Sequence, residues 1–274
     1  MATRRIITPA ILLRTRDMGE SDLLVELFTR RSGIVVGVAK GAKKSRKRFV
    51  NTFDTANLIT AKFYRPKGRE LFIIEDASLI DSFPHLSISI SLLAYCEFTL
   101  ELLREFAPEG VPHPELFDGV SSFLSAVNEI GAKNERWNGS SIPSAEGLFW
   151  SYTLKFLEGL GISPLLKQCV RCGKGFRDYA SENGADLFIP SAGGMVCARC
   201  LLTREGGVPF SRGTIMALAK AVEVPIEGVG RPSALKFTFS SLKEIRKGLL
   251  AFIRYQAGRS LKSADFIERY IRDD

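Results

Sequence analysis

The first 80 residues alternate apolar and polar positions in short runs. After about residue 87, apolar residues recur three and four apart. The early runs predict strands over residues 10–16, 22–29, 33–39, 55–64 and 70–79, rich in Ile, Leu, Val and Phe. Gly19-Glu20, Arg31-Ser32-Gly33 and Pro66-Lys67-Gly68 supply turn chemistry between them. Five short strands in so little chain must close on themselves to bury a face. That predicts a small barrel of the oligonucleotide-binding (OB) type, with an SH3-like barrel as the rival topology.

The later spacing predicts helices over residues 87–106, 114–130, 144–160, 211–222, 240–256 and 263–271, with Ser211 as an N-cap. Pro108, Pro112 and Pro143 mark breaks between the first three. A cysteine-containing stretch with a glycine-rich loop, residues 184–194, separates the third from the fourth. The whole reads as an α+β multidomain chain: a five-stranded OB barrel at 1–80, a helical domain begun at 81–165, a cysteine module at 166–205 and the helical domain resumed at 206–274. No run reaches the roughly 18 apolar residues of a membrane span, and no secretory leader is visible, so a cytoplasmic protein without membrane contact is expected. Asn138-Gly139-Ser140, a formal glycosylation acceptor, then reads as a plain polar loop.

Charge sharpens this division. Residues 1–80 hold 16 Lys and Arg against 8 Asp and Glu, while the remaining residues hold 22 of each, so the whole net charge of +8 belongs to the predicted barrel. A field concentrated on one domain points to a polyanionic partner. Its densest part is Lys40-Gly41-Ala42-Lys43-Lys44-Ser45-Arg46-Lys47-Arg48-Phe49, a loop between two predicted strands. A second basic hairpin, Arg65-Pro66-Lys67-Gly68-Arg69, is expected to extend the track. Lys40, Lys43, Lys44, Arg46, Lys47, Arg48, Arg65, Lys67 and Arg69 are therefore the candidate nucleic-acid contacts. Such side chains neutralise phosphates without reading bases, so binding should be salt-sensitive and tolerant of sequence. Phe49, Phe53, Phe63 and Tyr64 would stack on bases where exposed, although core packing is the expected fate of most.

Four of the five cysteines form two C-x-x-C pairs, Cys169/Cys172 and Cys197/Cys200, separated by 24 residues. Two such hairpins can surround one ion with four thiolates, which suits a single structural zinc ion and leaves no coordination position for a substrate. Arg171, Lys174 and Arg199 would offset the negative charge at the metal. Cys96 stands alone in an apolar helix and reads as a small buried hydrophobe.

Catalytic apparatus is not apparent. There is no phosphate-binding P-loop, dinucleotide fingerprint or nucleophile elbow, and the two histidines, His85 and His113, lie beside prolines. His113-Pro114-Glu115 with Cys169-x-x-Cys172 superficially matches a zinc deaminase signature. Gln168 stands where that signature needs Pro, and the second cysteine pair would have no use. A binding protein rather than an enzyme is expected.

The order of these motifs resembles the RecO family of bacterial recombination mediators. Gly19-Glu20-Ser21-Asp22, Val38-Ala39-Lys40-Gly41-Ala42 and Tyr64 through Leu71 are similar to that family's N-terminal barrel. Cys169-x-x-Cys172-Gly173 with Ser191-Ala192-Gly193-Gly194 before Cys197-x-x-Cys200 resembles its zinc module, and Gly258-Arg259-Ser260-Leu261-Lys262-Ser263 with Phe266 its C-terminal signature. The chain departs at Ala257, before Gly258, where many relatives carry His.

The resemblance implies a non-catalytic DNA repair and recombination protein, nucleoid-associated, that binds single- and double-stranded DNA. It also implies strand annealing and, with RecR, loading of RecA onto DNA coated by the single-stranded-DNA-binding protein (SSB). Lys243, Arg246, Lys247 and Arg254, set among apolar residues, are candidates to receive the acidic C-terminal tail of SSB. The alternative from the residues alone is a zinc-containing RNA-binding or transcription accessory protein.

Overall fold

The computed structural model describes residues 4–137, 142–175, 186–202, 205–223 and 237–271. Asn138-Gly139-Ser140 and residues 184 and 185 of the glycine-rich loop lie outside them. The chain divides into two compact units, residues 1–88 with 96–129 and residues 89–95 with 130–274.

The first unit is built on a closed barrel with strand order β1-β2-β3-β5-β4: β1 (Ile6–Met18), β2 (Asp22–Thr29), β3 (Gly33–Ala39), β4 (Leu58–Tyr64) and β5 (Phe72–Asp81). All neighbours are antiparallel except β3 and β5, which run parallel and close the barrel. This is the topology of an OB barrel. Its core follows the period of two: Ala10 and Leu12, Val25 and Leu27, and Ile59, Ala61 and Phe63 point inward with Val35, Ile74 and Ala77.

Strand boundaries differ from the sequence reading at both ends of β1 and of β5 and at the start of β4. β1 starts at Ile6 rather than residue 10 and continues through Pro9, which is paired with Thr60. One strand thus serves two neighbours, its first half on β4 and its second on β2. β4 starts at Leu58 rather than residue 55, because Ala56 takes a left-handed conformation (φ 71°) that breaks the extended chain.

The β2–β3 turn is set by Thr29, whose hydroxyl donates to the Gly33 carbonyl (2.9 Å) and accepts from the Ser32 N–H (3.0 Å). Gly33 has φ +61°, and a Cβ there would lie 2.2 Å from the Val111 carbonyl oxygen. Only glycine lets the segment around Glu109–Val111 lie against β3, where the Gly110 N–H donates to the Ile34 carbonyl (3.1 Å). That segment leads into α2 (Pro114–Trp137), whose Phe117 meets Phe28 with ring centroids 5.8 Å apart. Cys96, on α1 (Ile90–Phe106), is buried, and burial pushes its thiol far above the ordinary range, as an inert core residue requires.

The second unit gathers α3 (Ile142–Gly159), α4 (Arg212–Glu223), α5 (Phe239–Ala257) and α6 (Lys262–Tyr270) with a small sheet of order β7-β6-β8, made of Leu187–Ile189 (β6), Gly194–Val196 (β7) and Val208–Pro209 (β8). Ser211 caps α4 as expected, its hydroxyl accepting from the Thr214 N–H (3.3 Å). Thr238 caps α5 in the same way through the Ser241 N–H (3.1 Å), and Gly258 ends it in a left-handed conformation. The sheet is fastened to α5 by a stacked pair, Phe188 and Phe210 (5.0 Å between centroids, 7°), with Phe252 edge-on to Phe188. Gly248 makes room for it: a Cβ there would lie 2.5 Å from Phe210.

Between α3 and α5, Arg246 forms a two-pronged ion pair with Glu146 (both bonds 2.9 Å), and Trp150 donates to the same carboxylate. Both partners are largely buried, with 12% and 7% of their side chains exposed.

Candidate nucleic-acid interface and metal centre

The basic loop runs from Lys40 to Asn57 and is held to the barrel by a few side chains of its own. Asp22, at the start of β2, accepts from the Gly41 N–H (2.8 Å) and the Ser21 hydroxyl (2.9 Å). The Gly41 N–H holds the Asp22 carboxyl below its ordinary value of 3.8. Lys43 bonds the Gly19 carbonyl (3.1 Å) and pairs with Asp17 (3.0 Å). Arg48 donates to the Lys40 carbonyl (2.7 Å) and lies over the Phe49 ring, 4.9 Å from its centroid. Phe49 is buried in the barrel core and packs on Phe53 (5.1 Å).

These anchors turn the expected open loop into an ordered one with a short 3₁₀ turn at Ala42–Lys44. They also divide its charges. Lys43 and Arg48 are engaged in holding the loop. Lys44, Arg46 and Lys47 are exposed and, among the described residues, have no ion-pair partner.

The second basic hairpin meets these strands from the opposite direction. β3 and β5 are parallel with Gly37 beside Phe72 and Ala39 beside Ile74, so the 40–57 loop leaves one end of these strands and the 65–71 hairpin enters from the other. At the hairpin, Arg65 lies over the Phe72 ring (4.3 Å), while Lys67 and Arg69 are exposed. Of the four aromatics considered, Phe49 and Phe63 are buried and Phe53 is packed on the core; Tyr64 is half-exposed with Arg5 above it (5.7 Å).

The cysteine module brings all four expected residues together. The Sγ atoms of Cys169, Cys172, Cys197 and Cys200 lie within 4.8 Å of one another, and those of Cys172 and Cys197 are 3.9 Å apart. Sulfurs about 2.3 Å from a tetrahedral ion stand roughly 3.8 Å from each other, so the cluster could hold one metal ion.

Each pair sits in a tight turn. The Gly173 N–H donates to the Cys169 carbonyl (2.9 Å), and the Cys200 N–H to the Cys197 carbonyl (2.8 Å). The Cys197 N–H points at the Cys169 sulfur (3.4 Å). Without a cation the Cys200 thiol is pushed up to about 12, first by its hydrogen bonds to Cys197 and Cys172. A divalent ion at their centre reverses that order.

Arg171 does not face the sulfurs as a loose counter-charge. It pairs with Glu205 (Nη1 at 2.8 Å, with Nη2 on the other oxygen) and donates to the Cys200 carbonyl, so it ties the two turns together. Glu205 carried no sequence signal, because nothing in its neighbourhood distinguishes it from a surface carboxylate. Asp22 was quoted only within a motif, and its anchoring role needed the fold to appear.

At the C-terminal candidate surface, Arg246 is taken up by Glu146, and Arg254 by Asp265 (2.9 Å) and Glu268. Lys243 and Lys247 are exposed. Among the described residues no helix is long and apolar enough to cross a membrane.

Two family models match the chain. The model described as Recombination protein O N terminal matches residues 1–83, and that described as Recombination protein O C terminal matches residues 89–265. The chain is 27% identical over 264 residues to the DNA repair protein RecO of Anaeromyxobacter dehalogenans (strain 2CP-C), covering 96% of each. It is 29% identical over 262 residues to that of Syntrophobacter fumaroxidans, again 96% of each. With that of Pelotomaculum thermopropionicum it shares 30% over 264 residues, 95% of this chain and 93% of the relative.

Proposed function

The chain belongs to the recombination protein O family, and from that premise we propose that it is a non-catalytic DNA repair and homologous recombination mediator. In this reading it binds single- and double-stranded DNA and anneals complementary strands. With RecR it assists RecA loading on SSB-coated DNA in the cytoplasm, at the nucleoid. One observation carries the DNA reading: an ordered loop on a closed barrel presents Lys44, Arg46 and Lys47 with, among the described residues, no carboxylate paired to them. Lys40, Lys43, Arg48, Arg65, Lys67 and Arg69 complete the proposed contacts. Annealing demands only that two like-charged strands be screened and concentrated, which a basic surface does without covalent chemistry.

The four cysteines hold one structural zinc ion in this reading, since a closed thiolate shell offers no position for a substrate. The tail of SSB would meet the surface that carries Lys243, Arg246, Lys247 and Arg254. The test is the annealing rate of complementary strands coated with cognate SSB, with and without the protein. Clear acceleration supports the mediator reading. No acceleration despite DNA binding reduces it to a zinc-containing nucleic-acid binder, and a strong preference for folded RNA would favour a transcription accessory role.

A further inference from the structure

At the end of the barrel away from the Lys40–Asn57 loop, a cleft of about 550 Å³ is lined by Arg4, Arg5, Arg30, Arg31, Pro112 and Pro114, among others. The four arginines come from two segments distant in sequence, the entry to β1 and the β2–β3 turn. They are not equivalent. Arg5 is held by Glu75 (Nε to the two oxygens at 3.0 and 2.9 Å), and Arg30 forms a two-pronged pair with Asp118 (2.8 and 2.9 Å). These pairs fix the walls and neutralise their own charge. Arg4 and Arg31 are exposed and, among the described residues, have no ion-pair partner.

The far wall is made rigid by the approach of Val111 to Gly33, so the cleft is set by backbone packing rather than by side-chain preference. The pairing of Ile6 with Phe63 sets the entry to β1 beside the end of β4. On the β3 side the seven residues Gly33–Ala39 lie between the turn that carries Arg31 and the loop, about 20 Å at the usual rise per strand residue, while on the β5 side Glu75 meets Arg5 through its carboxylate and the loop's Arg48 through its carbonyl.

We propose that this cleft binds the phosphate backbone of a second nucleic-acid strand, with Arg4 and Arg31 as its phosphate contacts, while the Lys44–Lys47 loop binds the first. This rests on the proposed role of the loop in DNA binding. It gives a single barrel two phosphate-binding ends, far enough apart for two flexible strands to be held at once. Guanidinium groups suit the task because they present planar pairs of donors to phosphate oxygens.

The experiment uses the full chain with two non-complementary 20-nucleotide strands, one carrying a donor dye and one an acceptor. Energy transfer between the dyes reports co-occupancy, and anisotropy reports binding of either strand alone. The variant R4Q/R31Q removes the two unpaired charges and leaves both ion pairs intact; an unchanged melting curve checks its fold. Expected is a loss of co-occupancy of about tenfold, with affinity for the first strand within about twofold. The salt dependence of second-strand binding should fall by about 1.4 in slope, about 0.7 for each lost contact.

Co-occupancy unchanged in R4Q/R31Q would overturn the proposal. The loop variant K44Q/R46Q/K47Q separates the two ideas: if it leaves first-strand affinity untouched, the loop reading fails, whatever the cleft does. A wild-type protein that gives no anisotropy change with either strand defeats both.

Discussion

The basic loop and the cysteine module are both irregular segments set into larger folds, yet they are ordered by opposite means. The loop borrows its order from a finished core: Phe49 enters the barrel, and Asp22 and Arg48 pin the backbone on either side of the charges. The module has little core to borrow. Around the cysteines the buried residues are Ile189 and Val196, with Val170, Leu187, Ala192 and Leu201 partly covered. Such a cluster is too small to fix a segment by burial alone, so a cross-link is needed, and four sulfurs that could hold one ion offer it. A charged segment can thus be ordered without losing its charge when an aromatic anchor carries the burial, whereas a module with few apolar residues depends on its ligand.

Removing the metal should break that comparison most severely. Cys169→Ser, or dialysis against a strong chelator, should destabilise the second unit by on the order of 5 kcal/mol, seen as a fall of more than about 10 °C in its thermal transition. The barrel, followed by a probe in the first unit, should melt where it did before. A chelated protein with an unchanged transition would show that the module stands without an ion.

Phe49→Ala strikes the corresponding anchor of the loop. Loss of a buried phenylalanine should cost the barrel about 3 kcal/mol and expose residues 40–57 to limited proteolysis. A barrel that melts as before would mean that the ring adds nothing to the core.

A gentler pair of tests separates order from binding. K44Q/R46Q/K47Q should change stability by less than about 0.5 kcal/mol and lower the slope of log affinity against log salt on single strands by about 2. An unaltered slope would clear the loop of phosphate contact. The smallest effect should come from pH. The Asp22 carboxyl is lowered first by its bond from the Gly41 N–H, so its contribution is present above the ordinary aspartate value and is lost as pH falls through the lowered one. Amide exchange at Gly41, scaled for intrinsic pH effects, should therefore quicken in that acid window, and Asp22→Asn should remove the dependence.

Much of this was legible in the chain because it rests on local physics. Period-two alternation marked five strands, and their need to share one small core pointed to a closed barrel. The cysteine spacing announced its cluster because two residues between cysteines is the length of one turn, a constraint local to each pair. The density of charge from Lys40 to Arg48 needed no fold to be seen.

What tertiary structure alone decided was which of those charges remain available and where they point. Arg48 and Lys43 look like their neighbours in sequence, but they bond carbonyls that only the closed barrel brings within reach. Arg65, Lys67 and Arg69 read as an extension of the loop until the parallel pairing of β3 and β5 puts them at the other end. Arg4 and Arg31, 27 positions apart, meet in one cleft for the same reason. Spacing along a chain encodes contacts within a turn or a strand, whereas ion pairs and facing surfaces depend on the closure of the barrel, which no local pattern records.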